Sequence, residues 1–379
     1  MERVSLSCGN GGVENSELIK IFLRYFKNEY GLEDAGLFGE SAESSAESVA
    51  ESAVNFSAES AVKSVAESCA DSIAESCAKS VVESIAKSAK KYATSIDSFT
   101  ITPIFFSGGD IGKLSICGSA NDVAMMGAKP KFLSVSFIIE EGFLISDLEK
   151  IAHSMAVEMQ NAQITLISAD TKVIERRDLN APSGIFITTS MIGEIVREGI
   201  SARHLRDGDA VILSGEIGAH GACIYCEREG VKLEHSLKSD CANLWDLVEL
   251  LIKGGVEIHA MRDATRGGIA ASLNELANAS NCGLEISEGA IPVSAEVRGV
   301  CEILGIDAYS LANEGVCVIV VSADSASHAL KLLQSHSLGK NASIIGKVKS
   351  SAKCVILKSE LGVERYVEYP QGEILPRIC

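Results

Sequence analysis

Between about Glu40 and Tyr92 the sequence repeats a four-residue unit, as in Val49-Ala50-Glu51-Ser52, Val65-Ala66-Glu67-Ser68, Ile73-Ala74-Glu75-Ser76 and Val81-Val82-Glu83-Ser84. A period of four does not match the 3.6-residue helical turn, so each repeat moves the apolar position by about 40° around a helix. The apolar stripe therefore spirals and cannot face one core. Ala and Glu favour helix, whereas Ser at every fourth place does not. The stretch is expected to be an inserted low-complexity excursion, helical or partly ordered. A coiled-coil arm for a partner is the competing reading. Either way, a folded core has to be built from the residues on its two sides.

Those flanks supply mixed patterns. Cys8-Gly9-Asn10-Gly11-Gly12 is a glycine-rich turn ahead of an apolar-periodic helix from about Ser16 to Tyr30. After the repeat, Phe99–Thr102 alternates like a strand, and Phe106-Ser107-Gly108-Gly109-Asp110-Ile111-Gly112 opens a helix whose apolar face includes Cys117, Ala120, Ala124 and Ala128. A strand (132–139), a helix (147–160), a strand (164–168) and another strand (184–192) follow. A second pattern starts after Asp209, with strands at 210–213, near Met261, at 316–322, near Ile344 and near Val355. Its helices run from about Gly218, over 241–253, from Gly268 to Ala279 and over 325–335. With 379 residues there is room for two domains. The expected fold is α+β: residues 1–197 with the insertion at about 40–92, residues 198–366 as an α/β sandwich, and a tail over 367–379.

Net charge is −17, which argues against nucleic acid or an anionic membrane as the main partner. It also means that a phosphate-bearing substrate needs a local offset such as Mg²⁺, a lysine or a helix N-terminus. No apolar run marks Met1–Ser7 as a signal peptide, and no run of about 18 apolar residues marks a membrane span. The twelve cysteines form no framework, as expected of a chain in a reducing cytoplasm. Cys223 and Cys226 make the one C-x-x-C, without a second pair.

The chemistry rests on acids and glycines. Asp97, Asp122, Asp170 and Asp263 sit at element ends or on a glycine-flanked helix, where ligands bind in layered architectures. Converging, they would hold one or more Mg²⁺ ions that bind a nucleotide's phosphates. Neither a Walker A loop nor G-x-G-x-x-G is present, so the loop carrying Gly108, Gly109 and Asp110 is the candidate phosphate cover. Lys172 lies two residues after Asp170, on the same side of an extended segment. It could neutralise phosphate charge or act as a base. Glu314, in Asn313-Glu314-Gly315, is a candidate general base. Each could equally be a surface ion pair. Pro376-Arg377-Ile378-Cys379 ends the chain in a thiol on a segment expected to be extended and mobile, suited to carrying a covalently bound group.

Together, Cys8–Gly12, Phe105–Lys113, Asn121-Asp122-Val123-Ala124, Asp170-Thr171-Lys172-Val173, Arg262–Gly268, Ala312–Gly315 and the terminal Pro-Arg-Ile-Cys resemble the HypE family of hydrogenase maturation proteins. These are carbamoyl dehydratases of the ATP-binding superfamily that includes aminoimidazole ribotide synthetase and selenophosphate synthetase. The resemblance implies that superfamily's two-domain fold, with an N-terminal domain that dimerises through its sheet. It implies ATP-dependent conversion of a carboxamide on Cys379 to a thiocyanate, which supplies cyanide to the iron of a [NiFe]-hydrogenase. Cys379, Glu314 and Lys172 would be catalytic. Gly11, Gly12, Gly108, Gly109, Asp110, Asn121, Asp122, Asp170 and Asp263 would hold the nucleotide, and Asp97, Asp122, Asp170 and Asp263 the Mg²⁺. Implied partners are a second copy, a HypF-like carbamoyltransferase and a HypC–HypD-like iron scaffold. The chain departs from the family pattern at Cys8, Asn10, Ile96 and Ala169. A related phosphotransferase such as selenophosphate synthetase, or an inactive ATP-binding scaffold, is the alternative.

Overall fold

The structure is a computed structural model and describes residues 36–39, 90–176, 182–231 and 237–370. The chain forms two compact units, one of Leu37–Tyr92 and one of the remaining residues. In the smaller, the described residues are extended, in a strand at Gly36–Gly39 and at the start of Lys91–Phe99. The repeat, the first glycine turn and the terminal Pro-Arg-Ile-Cys lie outside the described residues.

The larger unit is built on two sheets. In the first, strands β1 (Lys91–Phe99), β4 (Ala128–Glu140), β5 (Thr165–Ile174) and β6 (Ile185–Ile195) lie in the order β1-β6-β4-β5. A short hairpin, β2 (Phe105–Phe106) and β3 (Gly109–Asp110), leads into helix α1 (Ile111–Met125). Helix α2 (Ile145–Ala162) crosses between the parallel strands β4 and β5. Strand alternation decides which sheet face is covered. Odd-numbered residues such as Ser95, Leu133, Ile187, Thr189 and Met191 are buried, and the Thr189 hydroxyl bonds to Ser115 O of α1 at 3.3 Å. The even-numbered face carries Ile96, Phe132 and Ile138, all exposed.

The second sheet contains β7 (Ala210–Leu213), β8 (Ile258–Asp263), β9 (Gly283–Ser287), β10 (Cys317–Val321), β11 (Ser343–Lys349), β12 (Val355–Lys358) and β13 (Glu364–Tyr366). Their order is β13-β12-β9-β11-β7-β10-β8. β10 is apolar at every position because both faces are covered. Val318 and Val320 pack with helix α5 (Gly268–Ser280), while Cys317, Ile319 and Val321 pack with α4 (Trp245–Lys253) and α7 (Ala326–Ser335). Helices α3 (Ala219–Glu229) and α6 (Ala295–Leu304) form a smaller cluster. Ala124 and Met125 of α1 enter the second sheet's core, so one helix serves both sheets.

Several sequence expectations shift. The strand expected at 99–102 is Lys91–Phe99, and Pro103, which has no N–H to donate, follows its end. Ala128 belongs to β4 rather than to the helix face, because Gly127 turns the chain at φ +70. Helix α1 is buried almost all round, so its periodicity carried little direction. Helix α4 starts at Trp245 rather than near Cys241, where the Asn243 side chain accepts from Trp245 N–H at 2.9 Å. β5 does not end before Asp170 but runs to Ile174, placing Asp170 and Lys172 in mid-strand. β9, α6 and β13 had no sequence assignment. The expected tail is held at its root: Asn274 Nδ2 donates to Val367 O (3.0 Å) and Tyr369 O–H to Glu275 Oε1 (2.8 Å).

Candidate active site

The site is assembled around helix α1. Its N-cap, Asp110, accepts from Gly112 N–H (2.7 Å), Lys113 N–H (3.0 Å) and Ser154 O–H (2.6 Å). This carboxylate is thus occupied in starting the helix. Gly108 takes φ +97, and a Cβ there would fall 2.8 Å from Ser239 O. Glycine is required where the hairpin touches the segment before α4. A Cβ on Gly109 would press the Phe106 ring at 3.1 Å.

One turn from the helix end, Asn121 is buried and its carboxamide is fully used. Nδ2 donates to Ala242 O (3.1 Å) and Glu314 O (3.4 Å), and Oδ1 accepts from Leu244 N–H (2.8 Å). Asn313 fastens its own loop the same way, donating to Ala264 O at 2.7 Å and accepting from Gly218 N–H at 2.6 Å. Both asparagines clamp backbone.

Between them the acids gather. Asp122 accepts a short hydrogen bond from Ser95 O–H of β1. Asp97 lies on that same covered face, 3.8 Å from where a Gly118 Cβ would sit. Asp263 ends β8 and Glu314 precedes β10, both buried. Burial, reinforced by Asp263, Asp240, Asp97 and Asp122, holds the Glu314 carboxyl well above the usual carboxylate range. Burial pushes Asp263 up to about 6 against the pull of Arg262, and pushes Asp240 to about 6 as well. Asp97 is raised by burial, with Arg266 opposing. Arg262 and Arg266 offset only part of this: burial outweighs them at both Asp97 and Asp263.

Asp170 and Lys172 are elsewhere. They pair at 3.5 Å, and their side chains are 62% and 69% exposed. Asp170 is in register with Ser136, and Ser136 with Thr188, whose hydroxyl meets that of Ser98 at 2.9 Å. Asp170 therefore faces the uncovered side of the sheet and Asp97 the covered side. Strands β6 and β4 intervene, about 14 Å at normal strand spacing. Within the chain, Asp97, Asp122, Asp263 and Glu314 come together and Asp170 and Lys172 do not join them. Gly11, Gly12 and Cys379 lie outside the described residues.

Among the described residues, no group of three or more His, Cys, Asp or Glu side chains could hold a metal ion alone. Mg²⁺ does not need one: it takes one or two carboxylates together with phosphates and water. The buried Asp263 Oδ2 has no hydrogen-bond partner, which suits one carboxylate of such a set. The C-x-x-C pair is buried in α3, and burial pushes the Cys223 thiol up to about 11, an inert state. No helix among the described residues is long and apolar enough to cross a membrane.

The sequence reading passed over Asp240. Its place before α4 gives no sign of a role, and what distinguishes it is contact with Glu314 and Gly315, whose N–H groups its carboxylate accepts. A Cβ on Gly315 would fall 2.0 Å from Asp240 O.

Two family models match the chain: the AIR synthase related protein N-terminal domain over residues 78–195 and the C-terminal domain over 206–358. The carbamoyl dehydratase HypE of Escherichia coli (strain K12) is 46% identical over 292 residues, covering 76% of this chain and 85% of that protein. A solved HypE–HypF complex is similar at TM-score 0.75 and 36% identity, covering 93% of this chain and 99% of the other. A HypE solved in complex with ATP is similar at TM-score 0.72 and 34% identity over 100% of both chains.

Proposed function

Because the chain belongs to the HypE family of carbamoyl dehydratases, which mature hydrogenases, we propose that it dehydrates a carboxamide carried on the Cys379 sulfur to a thiocyanate, using ATP. The observation that carries this reading is the buried acid cluster around Glu314, whose backbone is held by Asn121 of α1 and by the segment before α4. In the reaction the amide oxygen leaves as phosphate and both N–H protons are removed, so that S–C(=O)–NH₂ becomes S–C≡N.

Glu314 is the group suited to take a proton, since burial and the neighbouring acids raise its affinity for one. Asp97, Asp122 and Asp263 would hold Mg²⁺, which when bound draws phosphate oxygens into an otherwise repulsive acid pocket. Asn121 keeps the wall of the pocket in place. The Gly108–Gly109 turn would cover phosphate, with Gly11 and Gly12 completing the cover. Asp170 and Lys172 belong to the uncovered sheet face with Ile96, Phe132 and Ile138. We assign that face to a second copy of this chain, with Lys172 supplying positive charge near the phosphates once the dimer forms.

Residues 1–197 and 198–366 are proposed as the two domains, with 367–379 as the tail. Cys379 lies nine residues beyond Pro370, which limits its reach from that point to about 30 Å. The partners proposed are a HypF-like transferase to load the sulfur and a HypC–HypD-like iron scaffold to receive the cyanide, all in the cytoplasm.

Cys379→Ala should keep ATP binding, measured by calorimetry, and accept no carbamoyl group. A Cys379→Ala protein that is still loaded and dehydrated would refute the tail mechanism.

A further inference from the structure

We infer that Asp240 is a positioning residue for Glu314: it fixes the Glu314 peptide and so aims that side chain at the reacting carboxamide. The inference rests on the reading of Glu314 as proton acceptor given above.

The geometry is a clamp on both sides of one residue. Asp240 Oδ2 accepts from Glu314 N–H at 3.2 Å and from Gly315 N–H at 3.1 Å. On the other side, Glu314 O accepts from Ala242 N–H at 3.2 Å and from Asn121 Nδ2 at 3.4 Å. The peptide groups flanking the Glu314 Cα are thereby both held, which leaves only side-chain rotation free. The two segments run in direct backbone contact, because a Cβ on Gly315 would overlap Asp240 O at 2.0 Å.

The clamp is itself anchored to the glycine hairpin. Ser239 N–H donates to Ser107 O at 2.9 Å. The Ser239 hydroxyl accepts from Cys241 N–H at 3.1 Å and meets His220 Nδ1 at 2.8 Å. A carboxylate is a costly group to bury, even with the backbone N–H groups of Glu314, Gly315, His220 and Asp240 itself drawn toward it. Asp240 Oδ1 is buried with no hydrogen-bond partner, which an ordinary cap would not leave. Such a placement is accounted for if aim, rather than stability, is what the residue supplies.

The test uses the full chain, loaded on its tail by the partner carbamoyltransferase with carbamoyl phosphate and ATP. Single-turnover loss of water from the C-terminal peptide is followed by mass spectrometry. A displacement of the acceptor by about 1 Å is worth about 10²-fold, so Asp240→Ala should slow dehydration by about that factor. Its KM for ATP should change no more than about two-fold if aim rather than nucleotide binding is lost. Asp240→Asn retains an acceptor oxygen and should recover most of the rate. Asp240→Ala combined with Glu314→Gln should be no slower than Glu314→Gln alone, since one residue acts through the other.

Should Asp240→Ala not fold, Gly315→Ala, which forces the same segments apart, must give the same non-additive loss. Wild-type dehydration by Gly315→Ala or Asp240→Ala, or losses that add fully onto Glu314→Gln, would overturn the inference. If Glu314→Gln itself dehydrates normally, the proton-acceptor reading fails first, and that result is separate from the other two.

Discussion

The covered and uncovered faces of the first sheet carry similar residues in opposite circumstances. On the covered face, Asp97 lies under α1 beside Asp263 and Glu314, and burial raises all three. On the uncovered face, Asp170 lies exposed beside a lysine that already pairs with it. In the sequence both were acids next to glycine- or strand-like segments. What separates them is the strand that carries each: Asp97 lies on the face of β1 that α1 covers, whereas β5 is an edge strand exposed at every position from Thr165 to Val173. An exposed acid beside a lysine is an ion pair, whereas at Asp97 and Asp263 burial outweighs the arginines that face them.

The largest expected effect comes from removing the centre of the covered face. Glu314→Gln should lower the single-turnover dehydration rate by about 10²–10⁴-fold, while tail loading by the transferase stays intact. Equal loss of loading would erase the distinction between cleft and tail.

Next is Asn121→Ala, which leaves the carbonyls of Ala242 and Glu314 and the Leu244 N–H without their present partner. Glu314 O keeps its bond from Ala242 N–H, so two groups are left unsatisfied; at about 1–3 kcal/mol for each, chemical denaturation should show a loss of at least about 2 kcal/mol. An unchanged midpoint would mean that water replaces the carboxamide.

A smaller effect is a pH dependence. Asp240 and Asp263 bind protons up to about pH 6 when folded, against an ordinary aspartate value of 3.8. In that window the folded state holds more protons than the unfolded one, so stability falls as pH rises from about 4 to 6, with Glu314 adding to the fall in the same direction. The drop should be on the order of 3 kcal/mol for each of the two groups. It should shrink in Asp263→Asn and on adding Mg²⁺ with ATP, as read from thermal unfolding. Stability that rises over that interval would contradict the buried-acid account.

On the uncovered face, Lys172→Ala should change monomer stability by less than about 0.5 kcal/mol, because exposed pairs contribute little. A slower dehydration rate in that variant, with unchanged folding, would tie this face to the site through a second copy. Smallest of all, deleting residues 42–89 should leave dehydration largely intact, and loss of activity would make the repeat part of the machinery.

Much of this was legible in the residues. The glycine loop at Gly108–Gly109, the acids at Asp122 and Asp263, and Glu314 before its strand each occupy a place that chemistry and local pattern suggest. The resemblance of these motifs in combination pointed to the fold and family that the comparisons bear out. Other features could not be read. Asn121 looked like a ligand, yet its carboxamide is committed to backbone across the two sheets, a fact that exists only in three dimensions. The strand holding Asp170 continues past the point where its apolar run stops, because an edge strand can be polar on both sides. Asp240 gave no signal, since its partners lie 74 and 75 residues away.

The most direct test of the central claim is intact-mass spectrometry of the full chain with the partner transferase, carbamoyl phosphate and ATP, followed by further Mg·ATP. The account predicts the gain of one carboxamide on the C-terminal peptide and then the loss of one water. A protein that gains the carboxamide and keeps its water through repeated Mg·ATP additions would contradict it.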